Sequence, residues 1–178
     1  MTSEPDSNVA AELGYSHATG NPLHRVVRWG AGTRAGGWVF SRVLRHLDDT
    51  AARLTRGRHS APGLLAGLEV IDVTTTGRRS GKSRTSHLIA TPYEGALALL
   101  GTNFGQGATP AWALNLEADP RATLTYRGVS REVVARTATP TEAEDVFTLA
   151  SRFYPGYARY RQRVGDSRRI RVFVLESA

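Results

Sequence analysis

The chain has 178 residues, of which 40% are apolar and 22% charged, a balance that excludes a disordered protein and admits one domain plus an extra segment. It has no cysteine, which excludes disulfides, thiolate metal sites and thiol redox chemistry. The net charge of +7 points to an anionic partner (nucleic acid, an acidic membrane surface or a phosphorylated small molecule) or to plain solubility charge.

In chain order, residues 1–22 are polar, small and aperiodic and read as a disordered tail. Glu4, Asp6 and Glu12, with no apolar run behind a basic start, argue against a secretory signal. No window approaches the roughly 20 apolar residues that span a bilayer, so a cytoplasmic protein is expected. Residues 23–67 form a helical segment and linker. Phe40, Val43, Leu44, Leu47, Ala51 and Leu54 recur at three- and four-residue spacing, the pattern of an amphipathic helix. That helix packs on the main domain or, given its basic flank and Trp29 and Trp38, makes peripheral membrane contact.

From residue 68 the period becomes that of strands. Residues 68–75, 84–93, 96–102, 122–126, 130–137 and 170–176 are strand-like and bounded by Gly, Pro, Ser and Asp. Two short helices interrupt them. One is expected to open with Thr109 as cap and Pro110 as first helical residue, and to stop at Pro120. The other opens on the capping-box pattern Thr139-Pro140-Thr141-Glu142 and puts Val146, Leu149, Ala150 and Phe153 on one face. About six strands without regular strand–helix alternation exclude a doubly wound parallel sheet. They suit a mainly β, closed antiparallel barrel over residues 68–178.

The strongest local signal is Thr74-Thr75-Thr76-Gly77-Arg78-Arg79-Ser80-Gly81-Lys82-Ser83-Arg84. It lies between two strands, so it is a turn. Glycines let the backbone N–H groups converge, Thr and Ser add donors, and three arginines with a lysine offer forked and point charges to phosphate or carboxylate oxygens. A P-loop is excluded: three residues, not four, separate Gly77 from Gly81-Lys82-Ser83, and a strand rather than a helix follows. A solvated hairpin tip and a polyanion clamp both remain open on local chemistry.

The chain resembles the deazaflavin-dependent nitroreductases and quinone reductases of actinobacteria, which use coenzyme F420. Three blocks carry the likeness: residues 74–84; Gly101-Thr102-Asn103-Phe104-Gly105-Gln106 with Pro110-Ala111-Trp112 and Asn115-Leu116; and Tyr154-Pro155-Gly156-Tyr157 with Tyr160. The resemblance covers about residue 64 to the C-terminus and implies a split β-barrel of the FMN-binding type. It implies that Thr76, Arg78, Arg79, Ser80, Lys82 and Arg84 lie along the cofactor's phosphate and polyglutamate tail. Gly101, Thr102, Asn103, Ala111 and Trp112 would border its ring. Tyr154, Tyr157 and Tyr160 would line the acceptor pocket, and Tyr157, with Tyr154 or Tyr160, is expected to position the acceptor and offer a proton. The alternative for the tyrosines is an aromatic patch closing one end of the barrel. The chain departs from the family pattern at Ala113, where a tyrosine is usual, and at Lys82-Ser83, where Gln-Pro is usual.

The function expected is hydride transfer from reduced F420 to a quinone, enone or nitroaromatic acceptor, by a monomer or homodimer without nucleic acid or metal. A non-catalytic carrier of F420 or a fatty acyl ligand, and an FMN-using relative, are the alternatives. Of the five histidines, His87 stands out because it follows the basic turn on the face that carries Thr85.

Overall fold

The computed structural model describes residues 8–17 and 68–178. The expected amphipathic helix around residues 37–55, Trp29 and Trp38 lie outside the described residues. Seven antiparallel strands make one sheet: β1 Ile71–Thr76, β2 Ser83–Leu88, β3 Thr91–Tyr93, β4 Ala96–Leu100, β5 Arg121–Tyr126, β6 Val129–Thr137 and β7 Val172–Ser177, in the order β2-β1-β5-β6-β7-β4-β3. The helices are α1 Val9–Glu12, α2 Ala111–Ala118, α3 Pro140–Phe153 and α4 Gly156–Val164.

The mainly β split-barrel architecture is as expected, with one strand divided in two. Residues 84–93, read as a single strand, break at Ile89 and Ala90: β2 pairs with β1, whereas β3 pairs with β4 at the opposite end of the sheet order. The chain thus crosses from one edge to the other within two residues. Helix α2 also starts one residue later than expected. Pro110 is its N-cap and makes no side-chain cap bond, while the Thr109 hydroxyl accepts from Arg171 Nη1 at 3.3 Å. The capping box of α3 is present as expected, with the Thr139 hydroxyl accepting from the Glu142 N–H and the Glu142 carboxylate from the Thr139 N–H.

Two cores flank β4 and β7. Alternation along each strand sends Leu97, Leu99, Phe173 and Leu175 into the barrel interior, with Ile71, Val73, Leu124 and Val133. Ala96, Ala98, Leu100, Val172 and Val174 face the other way, onto α3 and α4. Burial on both faces explains why β4 reads as an unbroken apolar run, Ala-Leu-Ala-Leu-Leu.

Residues 8–17 correct the expectation of a disordered tail over 1–22. Val9, Leu13 and Tyr15 join the barrel core, and each such side chain removed from water contributes about 1.5–3 kcal/mol. The Ala10 N–H donates to Gly95 O at 3.0 Å, and the Tyr15 hydroxyl donates to Glu69 O at 2.6 Å. Among the described residues, no helix is long and apolar enough to cross a membrane.

Candidate functional site

The basic turn is the tip of the β1–β2 hairpin. Gly77 O accepts from the Ser80 and Gly81 amides at 3.0 and 2.8 Å, and the Gly77 N–H donates to Lys82 O at 2.8 Å. Gly81 sits at φ +64°, a conformation glycine adopts at least cost. This tight closure leaves Thr76, Arg78, Arg79, Ser80, Lys82 and Arg84 exposed. Among the described residues, no carboxylate forms an ion pair with Arg78, Arg79, Lys82 or Arg84, whereas Arg121, Arg127, Arg131, Arg161 and Arg171 each pair with one and Arg136 with two.

The tip is fixed to α2 by a residue absent from the expected site set. Asn115 is 6% exposed; its Oδ1 accepts from the Arg78 N–H at 3.1 Å and its Nδ2 donates to Thr75 Oγ1 at 3.1 Å. A buried amide with both ends satisfied orients the backbone it touches. The first and second blocks of the sequence resemblance are therefore physically joined. A polar residue between apolar neighbours in a short helix was the available signal.

Residues 101–106 follow β4. Thr102 is right-handed, but Asn103, Phe104 and Gly105 adopt φ of 48°, 54° and 75°. A left-handed run costs about 1–2 kcal/mol for each non-glycine residue, and Phe104 is a real outlier for its size. Its carbonyls are held by the C-terminal arginines. Arg168 donates Nε to Gln106 O at 3.2 Å, Nη1 to Gly101 O at 3.0 Å and Nη2 to Thr102 O at 2.8 Å. Arg163 Nη1 donates to Phe104 O at 3.0 Å. Nothing in the sequence distinguished Arg163 or Arg168, because their partners are backbone atoms.

Trp112 is 8% exposed and lies in the barrel core, edge-on to Phe173. Ala111 is exposed at the start of α2, Thr102 is buried and Asn103 half-buried. The tyrosines belong to the other core, across β4 and β7 from Trp112. The sheet therefore separates Trp112 from Tyr157, while the 103–105 turn packs on α4 through the edge-on pair of Phe104 and Tyr160.

Tyr154, Tyr157 and Tyr160 are buried and mutually edge-on. Gly156 permits this arrangement, because a Cβ there would overlap the Tyr154 ring. The hydroxyls of Tyr154 and Tyr160 are 2.7 Å apart. Tyr157 Oη donates to Ile89 O at 3.4 Å, long for an O–H···O bond. Burial raises the proton affinity of all three phenols, and neighbouring Tyr154 raises that of Tyr157 further. They stand as neutral donors. His87 Nδ1 lies 2.6 Å from Asp72 Oδ1 on the outer face of β1–β2.

The family model described as F420H(2)-dependent quinone reductase matches residues 46–177. Among solved structures, the chain is similar to an F420-H2-dependent reductase, FDR-A, at 30% identity and a TM-score of 0.55, over 61% of this chain and 94% of that one. A structure described as a domain-swapped dimer matches at 26% identity and a TM-score of 0.57, over 74% of this chain and 98% of the other.

Proposed function

This chain belongs to the F420H(2)-dependent quinone reductase family and is an F420H2-dependent oxidoreductase, and from that premise we propose that it reduces a quinone, enone or nitroaromatic acceptor while the β1–β2 hairpin tip holds the tail of coenzyme F420. The cluster of four exposed cations without carboxylate partners among the described residues carries the assignment of the tail site. Phosphodiester and glutamate oxygens match guanidinium forks and an ammonium, and this charge is not already spent. The residues present fit the cofactor.

Thr76, Arg78, Arg79, Ser80, Lys82 and Arg84 take the phosphate and glutamates, while Gly101, Thr102, Asn103 and Ala111 border the ring. Trp112 supports that border from the core side. Bound reduced F420 supplies a hydride, which is the cofactor's own chemistry. The chain contributes orientation and, at Tyr157, a hydroxyl on a long bond to Ile89 O that an acceptor oxygen can replace as partner. Tyr154 and Tyr160 fix that ring from two sides. The likeness to a domain-swapped dimer favours a homodimer over a monomer, which light scattering on the eluted protein checks.

Titration with F420 and with FMN, followed by fluorescence, and then addition of menadione to the reduced complex tests this reading. F420 binding with acceptor reduction supports it. Stronger binding of FMN favours an FMN-using relative, and F420 binding without turnover across several acceptors favours a carrier. Tyr157→Phe is expected to lower turnover about 10²-fold or more, in the range of a positioned proton donor, with F420 affinity nearly unchanged. Equal loss of both removes Tyr157 from the chemistry.

A further inference from the structure

One arginine is spent on backbone alone. Arg168 directs all three guanidinium nitrogens at carbonyl oxygens of residues 101–106, and Arg163 takes a fourth. Two internal turns, Gly105 N–H to Thr102 O and Gln106 N–H to Asn103 O, both at 2.9 Å, complete the segment. Between these anchors run the three left-handed residues Asn103, Phe104 and Gly105. Such a course relaxes unless something outside the turn holds it. Arg168 is half-buried, and partial burial with the neighbouring Arg171 lowers its proton affinity. It stays charged, as arginine does.

We propose that Arg168 is a positioning residue for the cofactor ring: it sets residues 101–106 in their ring-seating shape before the cofactor arrives. The inference rests on the reading that this segment borders the ring. A preformed seat lowers the ordering cost of binding. The fork geometry is what the role requires, because one guanidinium spans three carbonyls that no ammonium can reach together. Arg168 therefore acts on the ring end of the ligand, whereas the hairpin cations act on the tail.

The test uses the full-length chain as wild type, Arg168→Gln and Arg168→Lys. Two probes are titrated: F420, and the deazaflavin carrying its ribityl chain but neither phosphate nor glutamates. Amide hydrogen exchange is measured on the cofactor-free protein. Arg168→Gln is expected to weaken the tailless probe about tenfold or more, through lost preorganisation, and F420 by the same factor. Exchange at Gly105 and Gln106 accelerates, while β1 and β5 keep their protection. Arg168→Lys falls between the two. Accelerated exchange with unchanged affinity for the tailless probe means that the segment is not at the ring, and the site reading under Proposed function fails with this inference. Unchanged exchange and unchanged affinity overturn the role of Arg168 and leave that reading standing. Exchange accelerated throughout the barrel, with both probes lost alike, reduces Arg168 to a structural residue and also overturns the proposal.

Discussion

The β1–β2 hairpin tip and the C-terminal stretch 163–171 are both rich in arginine and use it in opposite ways. At the tip, Arg78 and Arg79 lie exposed in a turn closed by backbone hydrogen bonds, and Arg84 lies exposed on the adjoining start of β2. In the C-terminal stretch, Arg163 and Arg168 are consumed by carbonyls, and Arg171 by Glu117 and Thr109. Net charge alone therefore says little about ligand binding. What counts is charge without a carboxylate partner, held on a fixed base: among the described residues the tip cations have no such partner, and Asn115 pins the tip to α2.

The largest effect is expected where that uncompensated charge is removed. Hydrogen bonds to charged groups contribute about 1.5–3 kcal/mol each, so Arg78→Gln with Arg84→Gln should weaken F420 about 100-fold or more. The loss should shrink as salt rises, because exposed charges are screened. The tailless deazaflavin should bind as to wild type, and the melting temperature should stay within the scatter of repeats. Comparable loss for both ligands breaks the division between tail and ring ends. The C-terminal arginines give the mirror image, with ring binding affected and tail binding spared.

Asn115→Ala comes next. It takes the acceptor from the Arg78 amide and the Asn115 donor from the Thr75 hydroxyl, which keeps only its long bond to Arg84 O at 3.5 Å, a cost of about 1–3 kcal/mol in stability. It leaves all four tip cations in place but lets them move, so F420 affinity should fall about tenfold, less than on losing the cations themselves. Denaturant unfolding and the same titration read the two effects. A stability loss with no change in affinity means that the tip needs no fixed base.

The sequence made the strand architecture legible because β1 alternates cleanly and because glycine and proline mark the turns. The division of residues 84–93 was not legible. Leu88-Ile89-Ala90-Thr91 continues the strand chemistry without a breaker, and Pro92, which suits an edge strand, was the one local signal; pairing at distant sheet edges separates β2 from β3. Val9, Leu13 and Tyr15 were missed for a related reason. A four-residue helix carries too little periodicity to register, and its partners Gly95 and Ala90 lie far along the chain. The cationic tip could be read directly from residue types. Asn115 was visible as part of a motif but not as a strut, and Arg168 had no signal at all, since carbonyl partners have no sequence identity.

A third use of arginine gives the smallest expected effect. Arg136 bridges Glu142 at 2.7 Å and Glu176 at 2.7 Å, joining the start of α3 to β6 and β7. The Arg136 guanidinium first, and the Thr139 N–H second, hold the Glu142 carboxyl down at about 2, below its ordinary 4.5. A carboxyl depressed on folding contributes stability above its unfolded value and loses it as the pH falls towards the folded one. Glu142→Gln keeps an acceptor for the Thr139 N–H and loses only the charge of the partly exposed ion pair, so it should cost about 1 kcal/mol at neutral pH. The gap between wild type and variant should narrow from pH 4.5 towards pH 2. F420 affinity should not change, because this arginine is spent on the fold. Denaturant melts across that range decide the matter: a gap that stays constant with pH means that the charge of Glu142 contributes nothing to it.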